Sequence, residues 1–144
     1  MDNDFEKLGN ELQQMVDAEA RKVYSEKVIA CANYPENIGR INEPDGVARI
    51  QGLCGDSMEI YLVVSDERVI DARFITDGCG ATLACGSVAT KLAKGKSIAE
   101  ILEISPARII KELDGLPEER LHCAILSVST LHKALADYLL KKQM

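Results

Sequence analysis

The chain has 144 residues, a net charge of −6, 47% hydrophobic and 28% charged residues, and no tryptophan. That length suits one domain with an aliphatic core, the balance argues against disorder, and an acidic chain without a Lys/Arg run argues against nucleic acid as a partner. No apolar stretch approaches the roughly 20 residues of a membrane helix, and the acidic start Met1-Asp2-Asn3-Asp4 is neither a signal nor a transit peptide, so a cytoplasmic chain with no membrane partner is expected.

From Asp4 to Val23, the apolar residues Phe5, Leu8, Leu12, Met15, Val16, Ala20 and Val23 recur at steps of mostly three and four, the pattern of an amphipathic helix. Its stripe either packs on the domain, the commoner outcome, or forms a dimer contact, so the chain is expected to be a monomer or a homodimer. Ser25 caps a second helix to about Ala32. Asn33 to Gly46, with Pro35, Gly39, Pro44 and Asp45-Gly46, reads as a loop. Three strands follow: Val47 to Leu53; Met58 to Val64, alternating; and a third with Ile70, Ala72 and Phe74 on its apolar side, after the turn Ser65-Asp66-Glu67. Helices follow over Ala81–Ala93, from Ser97 to Ile104, from Pro106 to about Leu113, and from Glu118 to Lys142, the last with Leu121, Ala124, Ile125, Val128, Leu131, Leu135, Tyr138 and Leu139 on its stripe. The fold class is α+β: a three-stranded antiparallel sheet with helices packed on one face, in the order α-β-β-β-α-α-α with an extra N-terminal helix.

Five cysteines in such a chain do not make a disulfide framework. Cys54 sits in the turn between the first two strands, Cys79 between two glycines where a helix begins, and Cys123 after His122 near the start of the last helix. Helix N-termini favour thiolate over thiol, and flanking glycines leave room for a metal, a cluster or a partner's loop. His122 can complete a site of three cysteines and one histidine, and Asp56 can add a carboxylate oxygen. Softness suits such donors to zinc or to iron–sulfur, and the residue types do not choose between them. No Cys-x-x-Cys pair is present, so spacing alone leaves a shared site open.

The motifs around these cysteines resemble the IscU/NifU-type iron–sulfur cluster assembly scaffolds from Tyr24 to about Tyr138. Tyr24-Ser25-Glu26-Lys27-Val28-Ile29 looks like the family's first helix. Pro35-Glu36-Asn37-Ile38-Gly39 matches its Asn-Pro-x-Asn-x-Gly loop, with Tyr34 in place of the Asn. Cys54-Gly55-Asp56, Gly78-Cys79-Gly80 and His122-Cys123 match its three ligand motifs in order, and Lys94-Gly95-Lys96 matches the turn between the second and third. The presence of His122, and of no long insertion between Cys79 and Cys123, places the resemblance on the IscU-like branch.

The resemblance implies a SufE/NifU-like fold over residues 24–144, preceded by a helical extension over 1–23. It implies a scaffold rather than an enzyme. Cys54, Cys79 and Cys123 would be metal and cluster ligands, with His122 and Asp56 as alternates for the fourth position. Cys123 would accept sulfane sulfur from a cysteine desulfurase, and Asp56 would ease cluster release. The cargo would be a transient 2Fe–2S cluster built from iron and passed to apo iron–sulfur proteins, with zinc in the same site in isolated protein. A chaperone pair is a further partner the family implies; of its recognition segment, Leu116-Pro117-Glu118-Glu119-Arg120 keeps only Leu-Pro and a terminal basic residue.

Two other readings compete. One is a zinc-binding sulfur acceptor that activates a desulfurase. The other is a thiol enzyme with Cys123 as nucleophile and His122 as base, although helix neighbours point about 100° apart. Cys31 reads as a packed or half-exposed thiol, Cys85 as core filler and His132 as solvated. Lys91, Lys94 and Lys96 read as solvating a helix end. Arg120 is either a surface residue or helps to position sulfur or a partner.

Overall fold

A computed structural model describes residues 2–143; the terminal methionines, which the expected bounds 1–23 and 24–144 include, lie outside the described residues. The elements are α1 (Asp2–Ala20), α2 (Glu26–Asn33), β1 (Gly46–Gln51), β2 (Ser57–Ser65), β3 (Arg68–Thr76), α3 (Gly80–Ala93), α4 (Ile98–Leu102), α5 (Pro106–Glu112) and α6 (Leu121–Lys142). A 3-10 turn at Glu118–Arg120 opens onto α6. The helices after the sheet are thus two long ones flanking two short ones.

The strands form an antiparallel meander in the order β1-β2-β3. Register aligns Ala48 with Ile60 and Ile60 with Phe74, and Gly46 with Leu62 and Leu62 with Ala72. Met58, Ile60, Leu62, Ala72 and Phe74 are all fully buried, so this face is the floor of the core. α3 and α6 cover it. One expectation for β3 fails: Ile70 is exposed and Val69 is buried. The register shifts between Val63 and Val64, which pair with Asp71 and Val69, so Ile70 is the extra residue of a bulge. The bulge moves the inward position back by one residue.

Glycines let the helices lie close. A Cβ at Gly86 of α3 would fall 2.5 Å from the Phe74 ring, and one at Gly46 of β1 would run into the Ala134 carbonyl of α6. The loop between α2 and β1 is tied to α3: the Glu36 N–H donates to Ser87 Oγ at 3.0 Å, and Asn37 Nδ2 donates to Thr90 Oγ1 at 3.2 Å. Lys94, expected to be merely solvated, donates to Asn37 Oδ1 and lies 3.4 Å from Asp71. Residues 37–39 then bond to Phe74 along the outer edge of β3.

On α6 the expected stripe is buried or half-buried except at Ile125. Ile125 is 54% exposed, while Ser127 and Thr130 are buried. Their hydroxyls donate to the carbonyls of Ala124 and Leu126, so two polar residues enter the core satisfied. His132 is half-buried rather than solvated. Its Nε2 lies 3.0 Å from the Ile101 carbonyl, which can only accept, so Nε2 carries the proton. Cys85 is fully buried, as expected of filler.

The packing expected of α1 does not occur. Phe5, Leu8, Leu12, Met15 and Val16 are all more than half exposed. Only the last turn of α1 nears the body, where Asn33 Nδ2 donates to Asp17 Oδ1 at 3.2 Å. The helix ends before Ser25, whose Oγ caps α2 and donates to the Leu113 carbonyl, leaving the residues between as a separate turn. Urea unfolding should therefore separate the two regions. Leu12→Ser should change stability by no more than about 0.5 kcal/mol, whereas Gly86→Ala should cost about 1–3 kcal/mol by overpacking against Phe74.

Candidate metal centre

Three chain segments meet at one end of the sheet. The β1–β2 turn carries Cys54 and Asp56. It is closed by the Gly52 N–H donating to the Asp56 carbonyl at 2.6 Å and shaped by Gly55 at φ +86°. Such a φ is open to glycine at no steric cost. Cys79 is the N-cap residue of α3, with an extended backbone and no side-chain cap bond, so its sulfur is free to face the site. Cys123 is the third residue of α6 and is fully buried, with His122 before it half-buried.

Asp56, His122 and Cys123 form the tight part of the cluster, with one ligand atom of each lying within 4.8 Å of the others. Cys54 joins through histidine: its Sγ is 4.0 Å from His122 Nδ1, while His122 Nε2 is 3.7 Å from Cys123 Sγ. The imidazole thus faces a sulfur with each nitrogen, although helix neighbours start out about 100° apart. Cys79 joins through Thr82, whose Oγ1 is 3.7 Å from Cys79 Sγ, 3.4 Å from Cys123 Sγ and 2.9 Å from Asp56 Oδ2. Cys54 and Cys79 are exposed and line an open pocket of about 350 Å³ with Asp56, Asp77 and Arg120. Cys31 and Cys85 are not among these donors.

The electrostatics divide the thiols. Burial opposes ionisation of Cys79, but the backbone N–H groups of Thr82 and Ala81, the Thr82 hydroxyl and the Arg120 charge outweigh it and hold this thiol below its usual range. Burial pushes the Cys123 thiol up, helped by the charges of Cys79 and Asp56 and opposed by Thr82 and Arg120. Burial also pushes Cys85 far up, which leaves it an inert thiol. Arg120 is held in place by its Nε donating to the Tyr24 hydroxyl at 3.2 Å.

Does this arrangement suit a metal? Asp56 Oδ1 is buried without a hydrogen-bond partner among the described residues. An orphaned carboxylate oxygen beside an imidazole and thiols is what a cation would satisfy. The donors are thiolate, imidazole and carboxylate, the set that zinc and iron–sulfur chemistry use.

Comparison with known proteins identifies the family. Residues 23–144 match the NifU-like N terminal domain family. The chain belongs to that family. It is 42% identical over 120 residues to the iron-sulfur cluster assembly scaffold protein IscU 1 of Archaeoglobus fulgidus, covering 83% of this chain and 78% of that one. It is 40% identical over 125 residues to the scaffold protein IscU of Escherichia coli K12, covering 83% and 97%. Among solved structures, a NifU-like N-terminal protein from Brucella abortus superposes with a TM-score of 0.67 at 24% identity, covering 83% of this chain and 96% of that one, a likeness of fold.

For this NifU-like chain, sequence reasoning missed Thr82. The available signal was a hydroxyl three residues past the N-cap Cys79, a spacing that stacks side chains on one helix face. The Tyr24–Arg120 bond was also out of reach, since it joins residues 96 positions apart.

The thiol electrostatics predict an order of alkylation by iodoacetamide, read by peptide mass spectrometry on metal-free protein. Near neutral pH, Cys79 should label faster than Cys123, and Cys85 should stay unlabelled until the chain unfolds. A depressed thiol is already partly thiolate at that pH, whereas a raised one is not. The Cys79-to-Cys123 ratio should therefore fall as pH rises past the usual thiol range. A ratio independent of pH would contradict the assignment.

Proposed function

We propose that this chain is a scaffold on which an iron–sulfur cluster is assembled and then released to apo-proteins, with residues 24–144 as the working domain. The observation that carries the reading is a chain of five neighbouring donors: Cys54, Asp56 and Cys79 line one open pocket, His122 and Cys123 lie against Asp56, and one oxygen of that carboxylate is buried without a hydrogen-bond partner among the described residues. The relatives named as cluster assembly scaffolds support it. No helix among the described residues is long and apolar enough to cross a membrane. The same relatives are named as scaffold proteins, which supports a non-enzymatic holder.

Sulfur would arrive from a cysteine desulfurase. The Cys123 thiolate attacks the outer sulfur of the donor's persulfide, forming a Cys123 persulfide and releasing the donor's cysteine as thiolate. Cys123 is fully buried, so this step requires the site to open, and the Gly52–Asp56 turn is the segment that would move. Leu53 at its tip is 97% exposed and adds no packing to hold it. Conversion of sulfane sulfur to sulfide consumes two electrons per sulfur, supplied by an external reductant. Ferrous iron and sulfide are then the substrates that the three cysteines gather into a 2Fe–2S unit. Asp56 offers oxygen, a poorer match to iron–sulfur than thiolate, and so is the donor that lets the cargo leave.

Anaerobic incubation with ferrous iron, cysteine, a cysteine desulfurase and a thiol reductant should give sulfur-to-iron charge-transfer absorption. Cys54→Ala, Cys79→Ala and Cys123→Ala should lose most of it, and Asp56→Ala should keep it and shed it more slowly to a chelator. An undiminished spectrum from Cys54→Ala would overturn the reading.

A second reading is favoured by the tight Asp56–His122–Cys123 grouping, which suits a single tetrahedral ion. In it, a zinc-loaded form accepts sulfur and activates the desulfurase without building a cluster. Desulfurase stimulation that persists without cluster formation, and is lost when zinc is chelated, would select it.

A further inference from the structure

Thr82 lies three residues past the N-cap of α3 and is fully buried, yet its hydroxyl reaches three of the proposed ligands. Its Oγ1 is 2.9 Å from Asp56 Oδ2, 3.4 Å from Cys123 Sγ and 3.7 Å from Cys79 Sγ. A threonine hydroxyl has one proton to give. A carboxylate oxygen at 2.9 Å is both the nearest and the strongest acceptor of the three. The proton therefore goes to Asp56 Oδ2, and Asp56 Oδ1 is the oxygen left unpartnered.

The surroundings are shaped to admit this hydroxyl. A Cβ at Gly78 would fall 2.7–2.8 Å from the Thr82 side chain, so the glycine before Cys79 leaves the space that Thr82 fills. The turn it reaches has little else to hold it to the helices. Among the described residues, the side-chain hydrogen-bond approaches from Gly52–Asp56 to the helices are Asp56 with Thr82 and the longer Cys54–His122 contact.

We infer that Thr82 is a positioning residue: its hydroxyl anchors Asp56 through Oδ2, presents Oδ1 alone to an incoming metal, and fastens the Cys54-bearing turn to α3. The inference rests on the proposed metal-binding role of the pocket and adds to it the residue that orients its carboxylate. Partners of this kind, which orient a ligand without touching the metal, typically govern affinity by about 10–100-fold.

Cobalt(II) is the probe, titrated anaerobically into metal-free full-length protein and read by sulfur-to-cobalt absorption, with circular dichroism to verify the fold. Thr82→Val and Thr82→Ala should weaken cobalt binding by about 10–100-fold, while Thr82→Ser, which returns the hydroxyl, should stay close to wild type. Amide exchange over residues 52–56 should speed up in the Val and Ala variants and not in the Ser variant. Combined with Asp56→Ala, Thr82→Val should cost nothing further, because the group it orients is gone.

Wild-type affinity in Thr82→Val alongside weakened binding in Asp56→Ala would overturn the inference, as would additive losses in the double variant. Should Thr82→Val misfold, the Ala and Ser pair decides: equal affinities in those two overturn it. If Cys54→Ala and Cys123→Ala bind cobalt like wild type, the shared site itself fails and Thr82 falls with it. If those variants lose binding and only the Thr82 arms stay flat, the site stands and Thr82 has no part in it.

Discussion

The distance between α3 and the sheet sets everything else in the site. Gly86 leaves the space that the Phe74 ring occupies, and Ala81, Ala84, Ala89 and Ala93 line the same helix with small, buried side chains. At this height above the sheet, the N-terminus of α3 comes down level with the β1–β2 turn, and Thr82 can reach both that turn and α6. Gly46 plays the corresponding part for α6, where any side chain would strike the Ala134 carbonyl and the Tyr138 stem. Two glycines remote from the donors thus let α3 and α6, which carry Cys79 and Cys123 at their N-terminal ends, lie close on the sheet. Close packing makes this placement stiff, since interiors have little slack to absorb an added methyl.

That geometry gathers groups whose charges oppose one another. Ionised Cys79 and Asp56 each make ionisation of Cys123 harder, and burial adds to the opposition. Arg120 offsets part of this from the pocket wall, held by Tyr24. In the proposed role, a bound metal ion would relieve all of it at once, and its binding would release the Cys123 proton. The orphaned oxygen of Asp56 belongs to the same balance: it is a cost in the metal-free chain that a bound cation would remove. On the proposed reading, the site suits an occupant that it need not hold permanently.

Much of this was legible in the sequence, for reasons that differ by element. The second and third strands alternated, and the helices carried their own punctuation, with stops at Gly95 and Asp114-Gly115 and a start at Pro106. The three cysteines stood out because glycine or histidine accompanied each. The failures share a cause: each depended on a tertiary partner. Ile70 fits the alternation and is thrown outward only because β3 carries a bulge. Ile125 fits the helical stripe and loses its place to Ser127 and Thr130, whose back-bonded hydroxyls hide their polarity. The α1 stripe predicts a covering surface, and the body of the chain does not provide one. Thr82 looks like an ordinary helix residue until Asp56 arrives from a different element.

The weakness of the turn that bears Cys54 is then as much part of the design as the firmness of the helices. A hydrogen bond to a charged group contributes about 1.5–3 kcal/mol. The turn's link to the helices rests on one of these and a longer sulfur–imidazole approach, and Leu53 adds no packing. Breaking one such bond leaves an open form at about 0.1–10% of the population, which is enough to be visited constantly. On the proposed scaffold reading, that opening would let sulfur reach the buried Cys123 and let a finished cluster depart. A longer or better-packed turn would protect the cargo and lose both steps. The helices supply donors at fixed positions, and the turn supplies the motion.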